Sequence, residues 1–121
     1  MPMELPNRNR AFIQPTKLTG YLLSETHDVG RSKAKFFRSL GFNEDTVSLL
    51  EQELLAIARS QEVTETLSTA HGMKYVITGT INTPVGKTVS VLTVWIIDEG
   101  EDTPRFVTAR PFRDQKDGLE S

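Results

Sequence analysis

Cysteine is absent from the 121 residues. That excludes a disulfide framework, a thiolate metal site and a cysteine nucleophile. Histidine is scarce: only His27 and His71 occur, far apart, so no structural zinc site is expected. The apolar runs fall far short of the roughly 20 residues that span a bilayer. The opening stretch MPMELPNRNR lacks the apolar core of a secretory signal. A cytoplasmic location without membrane contact is the resulting expectation. The motifs of phosphate loops, dinucleotide-binding turns, zinc proteases and serine-hydrolase elbows do not occur either. Nothing in the sequence calls for a metal or a cofactor.

What remains is an ordinary globular balance, with 37% apolar and 25% charged residues. The net charge of −2 argues against general nucleic-acid binding. The charge is unevenly spread. Residues 1–38 hold seven Lys/Arg against three acids, whereas residues 39–66 hold six acids against Arg59 alone. Two solvated faces of opposite sign account for this most simply.

The hydrophobic pattern changes period midway. Ala11-Phe12-Ile13 suits a short extended piece, and Pro15 suits the first turn of a helix. Leu18, Tyr21 and Leu22 form a helical stripe within residues 15–24. A second helix is predicted from Val29 to Leu40, stopped by Gly41. Asn43 is placed as the cap of a third, with Glu44 and Asp45 in its first turn and Val47, Leu50, Leu54 and Ile57 as its buried stripe. After Gln61 the pattern turns to strands: Val63–Thr69, Met73–Ile81, Thr88–Ile97 and Arg105–Ala109. Thr88–Ile97 is apolar on both parities toward its end, as in a central strand covered on both faces. Trp95 should be core, with an indole N–H that needs a partner. Helices first and strands second predict an α+β fold, with N-terminal helices packed on a four-stranded antiparallel sheet. One domain over residues 1–111 is expected, followed by a polar, loose tail at 112–121.

Lys33 is the most informative residue. At about 100° per residue, Phe37, Phe36 and Leu40 lie within about 60° of it, whereas Lys35 and Arg38 lie opposite. A lysine on the buried side needs a reason. Either its stem snorkels to water from the helix start, or it lines a cleft between helix and sheet. His27 precedes the same helix and has the side chain best suited to proton transfer near neutral pH, unless it is an ordinary loop histidine. His71 reads as an exposed turn residue. Arg105 and Thr108 come from the last strand, as site residues or as ordinary edge positions. Their parity puts them on opposite faces of a regular strand, so one site can use both only if a bulge re-aims one of them.

The runs LPNRNRAFIQPTKLTGYLLSETHDVGRSKAKFFRSLGF and TVWIIDEGEDTPRFVTARP resemble a family of small bacterial proteins known as a domain of unknown function. The resemblance covers about residues 5–111. The family pattern reads His-Pro-Val-Gly, Lys-Ala-x-Phe-Phe and Pro-Arg-x-Val-Thr-x-Tyr-Pro. Here Asp28 and Arg110 stand where that pattern has proline and tyrosine. More distantly, the layout is similar to the barnase–EndoU–colicin–RelE group of ribonuclease toxins. That similarity implies a metal-free site built from His27, Lys33, Arg105 and Thr108. It also implies an RNA substrate and a cognate antitoxin. The other reading is a non-enzymatic module that binds a small partner protein, with His27 and Lys33 structural and the acidic stretches 44–65 and 98–102 as its surface.

Overall fold

The computed structural model describes residues 3–26 and 31–112, apart from the side chain of Arg31. Among these residues, helices α1 (Pro15–Lys17), α2 (Arg31–Ser39) and α3 (Val47–Ser60) precede four strands. These are β1 (Glu65–Thr69), β2 (Gly72–Asn82), β3 (Thr88–Asp98) and β4 (Arg105–Pro111). The sheet is an antiparallel meander in the order β1-β2-β3-β4, as the short turns require. The fold is α+β, as the change of period predicts.

Period-2 alternation gives the sheet one packed face. Tyr75, Ile77 and Ile81 of β2 join Val91, Thr93 and Trp95 of β3 and Phe106 and Ala109 of β4, all buried. Leu50, Leu54 and Ile57 of α3 and Phe37 and Leu40 near α2 lie in the same cluster. Burying each such side chain stabilises the fold by about 1.5–3 kcal/mol. The α3 helix approaches β2 closely at Gly79, where a Cβ would stand 2.9 Å from the Ile57 side chain. Glu53 also accepts the Asn82 backbone N–H at 2.7 Å, tying the helix to the end of that strand. The face opposite the core is only partly covered. On β3, Ile96 is buried there, but Leu92 and Val94 are half-buried.

The end of α2 follows from Gly41, whose φ is 96°. The Gly41 N–H donates to the Arg38 carbonyl at 3.0 Å and the Phe42 N–H to the Phe37 carbonyl at 3.2 Å. This pair of bonds is the Schellman motif, completed by contact between the Phe42 and Phe37 rings at 6.4 Å.

Three expectations change in detail. The α3 helix begins at Val47, not at Asn43. Asn43 caps a turn instead: its side-chain oxygen accepts the Asp45 N–H at 2.8 Å, and its own N–H donates to Thr46 Oγ1 at 2.9 Å. The stripe at 15–24 is not one α-helix. After a single turn it widens into a π turn, Leu18–Leu22, closed by the Leu23 N–H on the Leu18 carbonyl at 2.8 Å. Leu18 and Leu22 are buried either way. Strand β4 runs on to Pro111, which an edge strand tolerates because no ladder N–H is lost. The expected helix start at Val29 and most of the expected tail lie outside the described residues. Phe112, the exception, donates its N–H to the Ser90 carbonyl at 3.0 Å.

The extended piece at residues 11–13 covers part of the β4 edge. The Phe12 N–H donates to the Pro104 carbonyl at 3.1 Å, and the Phe106 N–H donates to the Phe12 carbonyl at 3.0 Å. Capping an edge in this way satisfies backbone groups that would otherwise template pairing with another chain.

Candidate functional site

A break in the register of β4 decides what its side chains can share. Arg105 pairs with Ile96 and Phe106 with Trp95, but the next pair is Thr108 with Val94. Val107 is the extra residue of a β-bulge. Ile96 and Val94 have the same parity, so Arg105 and Thr108 lie on the same side of the sheet, away from the core. Phe106 and Ala109 still point inward, and both are fully buried. The re-aiming that a shared site requires is therefore present.

Thr108 is half-buried, and its Oγ1 lies 3.0 Å from the Tyr21 hydroxyl, a hydrogen bond in which either group can donate. Tyr21 comes from the π turn that follows α1. Two ammonium groups lie over its ring, Lys17 at 4.9 Å and Lys33 at 5.7 Å from the centroid. Lys17 reaches the ring because it precedes Tyr21 by four residues. Lys33 reaches it from the first turn of α2. Its stem shares the helix side of the fully buried Phe37 while its head turns to the ring, so the side chain is half-buried. Cation–π contacts of this kind contribute about 0.5–1 kcal/mol at exposed sites. Among the described residues, neither lysine forms an ion pair with a carboxylate, whereas Arg8, Arg10 and Arg105 each form one and Arg38 forms two.

Arg105 is engaged elsewhere. Its Nε donates to Asp98 Oδ2 at 2.7 Å and its Nη2 to Oδ1 at 2.9 Å. That hydrogen bonding holds the Asp98 carboxyl below the usual range and raises the guanidinium above its own. Three of the five guanidinium N–H donors remain outside this pair. His27, the expected proton carrier, lies outside the described residues. His71 is exposed in the β1–β2 turn, as expected.

Tyr21 and Lys17 are site members that the sequence reading did not single out. The ring reads as one more position of an apolar stripe, and only the i, i+4 spacing of Lys17 to Tyr21 hints at their contact. Trp95, by contrast, behaves as expected. Its indole N–H donates to Thr93 Oγ1 at 2.8 Å, and that hydroxyl donates to the Ile77 carbonyl at 2.7 Å, all of it buried.

Other places offer less chemistry. A cavity of about 280 Å³ lined by Glu4, Arg8, Ser60, Gln61 and Glu62 contains none of the candidate residues. Among the described residues, no three His, Asp or Glu side chains gather where a metal ion could be held. No helix among them is long and apolar enough to cross a membrane.

The family described as a domain of unknown function, DUF6883, matches residues 4–113, and the chain belongs to it. No curated protein matches the sequence. In fold, the chain is similar to a chain of a contact-dependent growth inhibition toxin–immunity protein complex from Klebsiella pneumoniae 342. The TM-score is 0.69 at 15% identity, over 88% of this chain and 97% of that one.

Proposed function

We propose that this member of the DUF6883 family is a toxin that cleaves RNA without a metal ion and is held in check by a small cognate protein. The observation that carries the reading is the Tyr21–Thr108 hydrogen bond with the Lys33 ammonium, which has no carboxylate partner among the described residues, over the same ring. This is a place where an anion meets a positive charge and one hydroxyl proton, the Thr108 O–H when Tyr21 donates within the pair. The likeness to a chain of a toxin–immunity complex supports the same reading at the level of fold.

RNA carries its own nucleophile. The 2′-OH attacks the adjacent phosphorus, the P–O5′ bond breaks, and a 2′,3′-cyclic phosphate and a 5′-OH result. In this reading His27 takes the 2′ proton, and the 5′ oxygen leaves with a proton returned by the imidazolium or by water. Lys33 offsets the charge that develops on the phosphate, and Thr108 donates a hydrogen bond to one of its oxygens. Arg105 contributes through the N–H groups that Asp98 leaves over. Net acidity of the whole chain does not oppose this, because only the local field meets the substrate.

The test is incubation of the purified protein with total RNA in a chelator, together with growth on induced expression. The wild-type protein is expected to fragment RNA and arrest growth. Lys33→Ala is expected to lose at least 100-fold in cleavage rate, the scale of a removed charge-stabilising group. Intact RNA and unimpaired growth with the wild type overturn the reading.

The second reading is a binding module of the immunity type. It is favoured by the exposed carboxylates Glu44, Asp45, Glu99, Glu101 and Asp102, which suit a basic partner. On that reading the chain is harmless alone and forms a stable complex with a small basic protein.

A further inference from the structure

The two lysines on one aromatic ring are the feature that the cleavage chemistry does not exhaust. One ammonium suffices to offset the charge of one phosphate, yet Lys17 stands at 4.9 Å from the same centroid that Lys33 approaches at 5.7 Å. Two like charges converging on one ring repel each other, and a structural role alone would favour a carboxylate nearby. Four arginines of the chain do have such a partner. Arg8 pairs with Glu4, Arg10 with Asp102, Arg38 with Glu44, and Arg105 with Asp98. Among the described residues, Lys17 and Lys33 have no such partner.

We infer that Lys17 binds a second phosphate of the same RNA strand, next to the one held at Lys33 and Thr108. The inference rests on the proposed cleavage function and specifies how that site takes its substrate. Two ammoniums at these distances from one centroid are at most about 11 Å apart. Neighbouring phosphates of one RNA strand fall within that span. The substrate is then a phosphodiester chain gripped at two points, not a single nucleotide. Lys17 is a binding residue in this scheme: it acts on affinity and on the placement of the strand, while the reacting phosphate stays with Lys33. The Tyr21 ring, fixed by its bond to Thr108, sets the spacing between the two charges.

The probe is a short 2′-O-methyl RNA oligonucleotide, which has no free 2′-OH and is not cleaved. Its binding is followed by fluorescence anisotropy as the salt concentration rises. For single strands, each phosphate contact contributes about 0.7 to the slope of log K against log salt. Lys17→Gln is expected to lower the slope by about that amount and to weaken binding several-fold. Lys17→Arg, which keeps the charge, is expected to restore both. Lys87→Gln, in the exposed β2–β3 hairpin loop, is expected to change neither. A dinucleoside monophosphate, with a single phosphate, is expected to bind wild type and Lys17→Gln alike. An unchanged slope and affinity in Lys17→Gln overturns the second anchor and leaves cleavage at Lys33 standing. If the wild-type protein neither binds the oligonucleotide nor cleaves RNA, the functional reading itself fails, and the anchor with it.

Discussion

Arg105 grips Asp98 with two parallel hydrogen bonds across a seven-residue separation, closing the ends of the β3–β4 loop on each other. Both side chains are about two-thirds buried, so the pair is better shielded than a surface ion pair. The Asp98 carboxyl is held below its ordinary range, first by the Arg105 hydrogen bond, against the opposing effect of burial. An unfolded aspartate titrates near about 3.9. The pair's contribution is therefore complete above that value and is lost as the pH falls through the lower folded value. Asp98→Asn is expected to lower stability at neutral pH by about 1 kcal/mol, read as the urea midpoint. The gap from wild type should close as the solution is acidified below the ordinary aspartate range. A gap that stays constant into acid would show that charge is not its source.

The buried hydroxyl of Thr93 serves two partners at once. It accepts the Trp95 indole N–H and donates to the Ile77 carbonyl, with Thr93 and Trp95 both fully buried. Valine has the same shape and no hydroxyl, so Thr93→Val removes the indole's acceptor in a place water cannot reach. The expected cost is about 2–3 kcal/mol in urea unfolding, with an unchanged denaturant slope. Thr93→Ser keeps the hydroxyl and should recover most of it. A neutral Thr93→Val would mean that the indole finds another partner.

Much of this architecture is legible in the residues themselves, and the exceptions have physical reasons. Gly41 ends α2 because the left-handed cap has a residue preference strong enough to read. Trp95 announces its need for a partner because an indole N–H is costly to bury alone. The start of α3 is misplaced because Asn43 suits a turn as well as a helix cap, and Thr46 inserts its own hydroxyl there. The π turn escapes notice because Leu18 and Leu22 fall on one side in either helix type. For the site, Lys33 stands out because a cation on an apolar stripe is anomalous, and Arg105 and Thr108 could be weighed together only with a bulge. The bulge itself, and the pairing of Arg105 with Asp98, depend on the β3–β4 register, which single-strand patterns do not carry. Tyr21 looks like core because its ring packs as a hydrophobe does; only its hydroxyl and the two lysines set it apart.

Gly41 offers a direct test of how α2 is anchored. At φ 96°, a residue with a side chain is strained by about 1–2 kcal/mol. Its Cβ would also stand 2.9 Å from Pro84 in the β2–β3 hairpin loop. That loop leans on the helix end, since the Val85 N–H donates to the Leu40 carbonyl at 3.3 Å. Gly41→Ala is expected to cost at least the strain and to speed hydrogen exchange at Val85. Unchanged exchange there would mean that the loop is held by its own turn, through Thr83 and Lys87.

The bond between Tyr21 and Thr108 spans 87 residues and joins the π turn to the bulged strand, so its strength can be isolated by a double-mutant cycle. Tyr21→Phe keeps the ring under both lysines and removes the hydroxyl. Thr108→Val keeps the shape of the side chain and removes its hydroxyl too. If the bond is the shared element, the double variant should be less destabilised than the sum of the singles, with a coupling of about 0.5–1.5 kcal/mol. RNA cleavage makes a second, independent demand. Thr108→Val removes the proposed phosphate donor itself, whereas Tyr21→Phe only loosens that donor. The Thr108 variant should therefore lose more in turnover than in apparent affinity, and more than Tyr21→Phe loses. Equal losses in the two single variants, with no further loss in the double, would mean that the hydroxyl pair acts as one unit. Thr108 would then have no separate contact with the substrate.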